Sequence, residues 1–354
     1  MSEVYSPHKF LRFQDRIDAW RQGRLAAPVH VRIKPYNHCN HNCWYCAYRN
    51  DALHLGDDMD EKDQLPAAKM AEIVEDLIEM KVKAVTFSGG GEPLLYKPLP
   101  ETVEALAKGG IRIGSLTNGS NLKGRVAEAL ARHATWVRVS VDAWDNDSYV
   151  KSRGARPGDF DRLIANMRAF VATGTKCVLG VSYIVGHDNH AHLADICRIF
   201  KDVGVNHVKV AAAVVANDVA ANNRYHQQIM AEVTRQIETA KALDGDGFRV
   251  VNHYHETDER FEKHYHTCPF LQFLTVIGAD QCVYTCQDKA YTKEGMLGSI
   301  AGRRFKDFWF SEDNRAMVHG FDPSVNCQHH CVAHVKNLAL HSMLDVDPDH
   351  EVFV

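Results

Sequence analysis

No apolar run in the sequence approaches the roughly 20 residues that a membrane-spanning helix requires. The opening residues Met1-Ser2-Glu3-Val4-Tyr5-Ser6-Pro7 lack the apolar h-region of a secretory signal. Neither sign of charge is in large excess, the formal net charge being −4. The first two absences exclude a helical membrane span and an export route, so a cytoplasmic protein with no membrane partner is expected. The third removes the basic footprint of a nucleic-acid binder, and no nucleic-acid partner is expected. What remains, 45% apolar and 24% charged residues, is ordinary for a globular chain. Its 354 residues suffice for one large domain and a smaller one.

Cysteine is plentiful, with 10 residues unevenly spread. Without an export signal such cysteines more often bind metal or do chemistry than form disulfides. Cys39, Cys43 and Cys46 fall close together as Cys-x3-Cys-x2-Cys, Cys177 and Cys197 are isolated, and Cys268, Cys282, Cys286, Cys327 and Cys331 form a second grouping. Soft thiolates suit iron–sulfur clusters or zinc. A [4Fe–4S] cube usually takes four cysteines, so three would leave one iron open to a substrate or cofactor. Zinc would need a fourth ligand nearby. Spacing of i, i+4, i+7 also describes one helix face, but the neighbouring Pro35, Asn37, His38, Asn40, His41 and Asn42 are poor helix formers.

The motif Cys39-x3-Cys43-x2-Cys46, with Tyr45 before the third cysteine, resembles the signature of the radical S-adenosylmethionine (radical SAM) enzymes. The resemblance implies a [4Fe–4S] cluster whose open iron chelates S-adenosylmethionine through its methionine amino and carboxylate groups. It also implies one-electron cleavage of that cofactor to a 5′-deoxyadenosyl radical, which takes hydrogen from carbon. An external reductant of flavodoxin or ferredoxin type is then expected.

The rest of the chain is consistent with this. Alternating residues predict a strand over 29–34 running into the cysteine loop. Met70, Ile73, Val74 and Leu77 predict a helix after Pro66. Strands over 84–88, 111–116, 136–141, 178–185, 207–214 and 248–251 then alternate with helices over 99–108, 125–133, 160–171, 192–203 and 225–243. A further helix is expected over 10–21. The alternation predicts an α/β fold, a partial (β/α)6 TIM-like barrel of about six units, with its ligand site at the carboxyl ends of the strands. The family's partial (β/α)6 barrel agrees.

At those ends Gly90-Gly91-Glu92-Pro93 resembles the family's GGEP motif, whose backbone meets the cofactor's amino group. Asn118, Ser140 and Asp142 resemble its polar contacts to ribose and carboxylate, Arg153 is placed to neutralise the carboxylate, and Ser182 is a further candidate. Each is also readable as a polar residue closing a strand or a solvated charge.

After 254 the alternation stops. A β-hairpin over 274–284 and a helix over 305–310 are expected, the tail 336–354 closes the chain, and 1–28 leads into the barrel domain 29–254. The segment 255–335 resembles the twitch extension, the shortened SPASM domain, which holds an auxiliary [4Fe–4S] cluster. The resemblance assigns Cys268, Cys286, Cys327 and Cys331 as its ligands; a structural zinc site is the alternative. The final pair is Cys-x3-Cys where Cys-x2-Cys is commoner. Cys282 is left over, and together with Cys177 and Cys197 is a candidate hydrogen donor, although small buried cysteines serve equally as packing. His253-Tyr254-His255-Glu256 and His264-Tyr265-His266 offer metal or acid–base groups, or a polar connector.

Only 38 residues precede Cys39, fewer than a leader-peptide-binding domain needs. The expected substrate is therefore a small polar molecule, a sugar or aminocyclitol, oxidised or epimerised. A peptide maturase with a separate recognition partner is the alternative, and a non-catalytic iron–sulfur or zinc protein a third.

Overall fold

The computed structural model describes residues 5–254, 261–347, 349–350 and 353. One sheet organises it. Its strands are β1 (His30–Ile33), β2 (Ala84–Phe87), β3 (Arg112–Thr117), β4 (Trp136–Ser140), β5 (Val178–Val185), β6 (His207–Ala212), β7 (Arg249–His253), β8 (Leu274–Ile277), β9 (Cys282–Tyr284) and β10 (Met296–Ser299). Their spatial order is β10-β9-β8-β1-β2-β3-β4-β5-β6-β7. From β1 to β7 every pairing is parallel, as helical crossovers require. The fold is α/β, a parallel partial barrel followed by antiparallel strands.

The C-terminal strands do not form a sheet of their own. β8 pairs in parallel with β1, His30 opposite Leu274 and Ile33 opposite Ile277, and β9 and β10 follow antiparallel. Since β1 carries the cysteine loop at its end, this pairing sets the second cysteine group beside the first.

Alternation along the strands follows the period of two. Val31, Ile33, Val85, Phe87, Ile113, Val137 and Val139 are buried against Ile73, Leu77, Val103 and Leu106 of the helices. The opposite face of β1 carries His30, Arg32 and, just past the strand, Lys34. Helix Ala67–Glu79 starts after Pro66 and buries Met70, Ile73, Val74 and Leu77, as the spacing predicts. Its Asp76, also buried, accepts from Arg304 Nε (2.7 Å) and Lys306 N (3.2 Å), which fastens the chain after β10 onto the barrel.

Three local expectations are corrected. The helix expected over 10–21 is a 3₁₀ turn, Pro7–Arg12, and a separate helix, Gln14–Arg21, broken at Phe13. The helix expected over 225–243 is two, Val219–Gln227 and Met230–Lys241, because Asp218 caps an earlier start through Ala221 N (2.6 Å). The expected tail begins inside a helix, His334–Leu344, whose Leu340 packs with Phe10 and Phe273.

Candidate active site

The cysteine loop is not helical. Tight turns shape it, with Cys46 N donating to Cys43 O (3.1 Å) and Asn50 N to Cys46 O (2.9 Å), and all three thiols are half-buried. This removes the helix-face reading of their spacing. Burial pushes the Cys39 thiol up to about 11 and raises that of Cys46, and the Cys43 charge adds to both shifts. The thiols are therefore near enough to sense one another. Arg153 Nη1 lies 3.3 Å from Cys43 Sγ and Asn118 Nδ2 lies 3.9 Å from Cys39 Sγ.

Gly90 and Gly91 lie against this loop. Gly91 N donates to Tyr36 O (3.1 Å) and Glu92 N to His38 O (2.9 Å). A Cβ on Gly91 would sit 2.0 Å from His38 O, and one on Gly90 2.3 Å from Asn37 Oδ1. Protein backbone approaches closely here, so any larger residue would force the two loops apart. The Glu92 side chain turns inward. It accepts from Leu94 N (3.0 Å), Thr117 Oγ1 (2.5 Å) and Asn118 N (2.7 Å), tying the end of β3 to the glycine loop. Burial raises its carboxyl, while these three bonds oppose the shift.

Asp142 and Arg153 meet each other rather than lining open space. They form a 2.6 Å ion pair with side chains 1% and 4% exposed. Asp142 also accepts from Tyr45 Oη and from Ile184 N (2.6 Å), and its carbonyl accepts from Asn189 Nδ2 (3.1 Å). These contacts hold Asp142 at φ 101°, a backbone region that costs a non-glycine residue about 1–3 kcal/mol. The charge expected to neutralise a cofactor carboxylate is thus already balanced within the fold, beside Cys43. Arg153 arrives on helix Asn146–Arg153, which the sequence reading omitted. A reciprocal cap, Asp145 Oδ1 with Ser148 N (2.8 Å) and Ser148 Oγ with Asp145 N (3.0 Å), starts it, and Gly154 in the left-handed conformation ends it. Asp145, Ser148 and Gly154 were the available signal.

Ser140 ends β4 and is the register partner of Ser182, which lies within β5, both half-buried. Nearby, a cavity of about 250 Å³ opens between Trp44, Asp142, Trp144, Lys151, Gly186 and Asn189.

The second thiol group assembles from distant segments. Cys268 precedes the turn into β8, Cys286 follows β9, and Cys327 and Cys331 flank the approach to helix His334–Leu344. Burial raises the Cys286 thiol, and Cys331, Cys327 and Cys268 all add to the shift, so the four converge. Cys327 is pushed up to about 12 and Cys331 to about 11, burial being the first cause of each. Asn337 Nδ2 donates to Cys268 Sγ (3.2 Å). Cys282 is differently placed. Burial, then Asp280, pushes its half-buried thiol up to about 12. Cys177 and Cys197 are buried in the main core, as packing would have them. Of the histidine runs, His255 and Glu256 lie outside the described residues; His266 Nδ1 contacts Asp322 Oδ2 (3.1 Å) and His264 is exposed.

Two residues not singled out from the sequence connect the groups. Lys34, 1% exposed, donates to Gly89 O (2.7 Å) and to Tyr48 Oη, and Tyr48 donates to Gln287 O (3.1 Å). Burial lowers the Lys34 pKa to about 7, and the charges of Cys46 and Cys286 both act on it. The amine therefore stands between the two thiol groups.

The Radical SAM superfamily profile matches residues 33–199. The GTP 3′,8-cyclase of Rhizobium etli is 27% identical over 187 residues, 51% of this chain and 50% of that protein. The pre-heme d1 synthase of Dinoroseobacter shibae is 30% identical over 182 residues, 50% of this chain and 42% of that protein. The matched segment thus spans half or less of each curated relative. In fold, SuiB of Streptococcus suis bound to S-adenosylmethionine superposes with a TM-score of 0.60 at 16% identity, covering 89% of this chain and 74% of SuiB. Residues 33–199 carry the sequence pattern of the radical SAM superfamily.

Proposed function

We propose that Cys39, Cys43 and Cys46 hold the superfamily's [4Fe–4S] cluster, and that Cys268, Cys286, Cys327 and Cys331 hold an auxiliary one. Both donor sets fit: each is made of soft thiols drawn together among cations, Arg153 at the first and Lys263 at the second. Held there with S-adenosylmethionine and an electron donor, the first cluster would supply the chemistry by which hydrogen is removed from carbon.

This chain's own residues then have distinct tasks. The backbone of Gly90-Gly91 and the Asn118 amide face the cysteine loop and receive the polar end of S-adenosylmethionine, with Ser140 and Ser182 offering hydroxyls nearby. The cavity flanked by Trp44 and Trp144 suits its flat nucleoside. Glu92, Asp142 and Arg153 act as positioning residues, since their charged groups are bonded within the fold.

We assign a small polar substrate, a sugar or aminocyclitol oxidised or epimerised at a carbon bearing OH or NH2. The observation that carries this reading is the polar seam of Lys34, Tyr48 and the Gln287 carbonyl between the thiol groups. A substrate held there needs hydrogen-bonding groups to replace those it desolvates. The test is anaerobic reconstitution followed by iron counting and 5′-deoxyadenosine assay. About eight irons per chain are expected, with cleavage stimulated by deuterated sugars or aminocyclitols and deuterium recovered in 5′-deoxyadenosine. Stimulation by peptides alone would replace this substrate class with the peptide-maturase alternative. Zinc without iron at both sites would remove the radical chemistry itself.

A further inference from the structure

The second thiol group contains more donors than a cube requires. Its last two cysteines enclose two histidines, Cys327-Gln328-His329-His330-Cys331. His329 is 2% exposed, and its Nε2 is buried with no hydrogen-bond partner. A polar atom left so costs about 1–3 kcal/mol unless something binds it. What it faces is specific. The ligand atoms of Cys286, Asp288 and His329 all lie within 4.8 Å of one another.

That separation suits ligands of one metal centre. Nitrogen and sulfur at about 2.0 and 2.3 Å from a shared metal stand less than about 4.3 Å apart, and donors to neighbouring irons of a cube about 6 Å, so the two side chains lie within a small adjustment of either arrangement. The backbone there is pinned, since Lys263 Nζ donates to His329 O (2.5 Å), and the side chain is enclosed by burial. Asp288 already has a partner in Val332 N (3.3 Å), and its charge faces Arg32 and Lys34. Cys286 and His329 lack comparable alternatives: the atoms beside Cys286, Thr285 Oγ1 and Gln287 Oε1, are themselves without partners.

We propose that His329 is a ligand of the auxiliary metal centre through Nε2, beside Cys286. The centre then has mixed cysteine and histidine ligation, His329 taking the iron that one of the other three thiols would otherwise hold. The widened Cys-x3-Cys spacing has a use, since it sets an imidazole midway between two thiols. The proposal rests on the auxiliary centre proposed above, so its test separates the two.

The Cys39→Ala/Cys43→Ala/Cys46→Ala triple variant, prepared without oxygen, retains only the auxiliary thiols. Iron and zinc are counted, and the reduced, histidine-15N-labelled protein is studied by pulsed EPR. About four irons per chain and a directly bonded nitrogen coupling are expected. His329→Gln should lose that coupling, and His329→Cys should lose it while retaining the iron. A four-iron centre with no such coupling, or with one that survives His329→Gln, overturns the proposal and leaves the auxiliary cluster standing. If the site takes zinc instead, the cluster reading fails. Histidine ligation is then supported if His329→Gln lowers zinc per chain several-fold and overturned if zinc is unchanged. Should His329→Gln not fold, His329→Cys supplies the same comparison with a donor kept in place.

Discussion

The two thiol groups are built in opposite ways. Cys39, Cys43 and Cys46 occupy one short loop, half-buried, with their nearest polar neighbours supplied by Asn118 and Arg153 from later strand ends. Cys268, Cys286, Cys327 and Cys331 come from separate segments, two of them fully buried, and are closed off by Lys263, Asn337 and His329. The first arrangement leaves approach from the mouth of the barrel. The second encloses the space between its thiols. A local loop can present an open metal corner, whereas a site gathered from distant segments has neighbours enough to complete its own coordination.

The most severe way to break this contrast is to remove one thiol from each. Cys43→Ala should abolish S-adenosylmethionine cleavage and lower iron by about four per chain, while Cys286→Ala should remove about four irons yet leave slow uncoupled cleavage. Iron assay and 5′-deoxyadenosine formation check both. Loss of all iron from either variant would mean that the groups are not independent.

The ion pair supporting the first group comes next. Asp142→Asn leaves Arg153 buried without its countercharge, which costs about 3–5 kcal/mol, and urea unfolding should show it. The Michaelis constant for S-adenosylmethionine should rise as well, because Arg153 sits against Cys43.

A third region, the amino ends of the strands away from both thiol groups, offers a control. His207 is buried at the start of β6, and burial, then Arg138 and Lys209, lowers its pKa to about 4 from 6.5. The unfolded chain therefore takes up a proton first as pH falls. Stability present above pH 6.5 is lost progressively down to about pH 4, by about 3 kcal/mol at most. His207→Gln should flatten that slope in pH-dependent urea midpoints without altering iron content.

Smaller effects sharpen the contrast. Glu92→Gln turns an amide toward donors that need an acceptor and should cost about 1–3 kcal/mol, seen as a lower melting temperature. Cys282→Ala should leave iron at both sites unchanged. Retained turnover with normal solvent-deuterium incorporation would also end its candidacy as hydrogen donor.

Much of this was legible in the chain. The alternation of apolar runs predicts the parallel sheet, and helix Leu99–Lys108 and strand Val178–Val185 fall where the pattern places them. The break at Phe13 and the split before Met230 were not legible, because neither following helix has a capping side chain to mark its start. Among site residues, the cysteines stand out by spacing, but the inward turn of Glu92 and the pairing of Asp142 with Arg153 do not. Side-chain direction at a strand end depends on partners brought by other segments. Lys34 and His329 carry no motif; only their burial marks them.

By itself the sequence determined the local chemistry: three thiols at loop spacing, a glycine turn after the next strand, and a surplus of cysteines near the end. Periodicity and ligand softness act over a few residues, so they survive without coordinates. Only the tertiary structure decided which charges are spent within the fold, that β8 docks on β1, and that an unpartnered imidazole faces Cys286. Those outcomes depend on contacts between segments far apart in the chain, and on what burial demands of each polar group once water is gone.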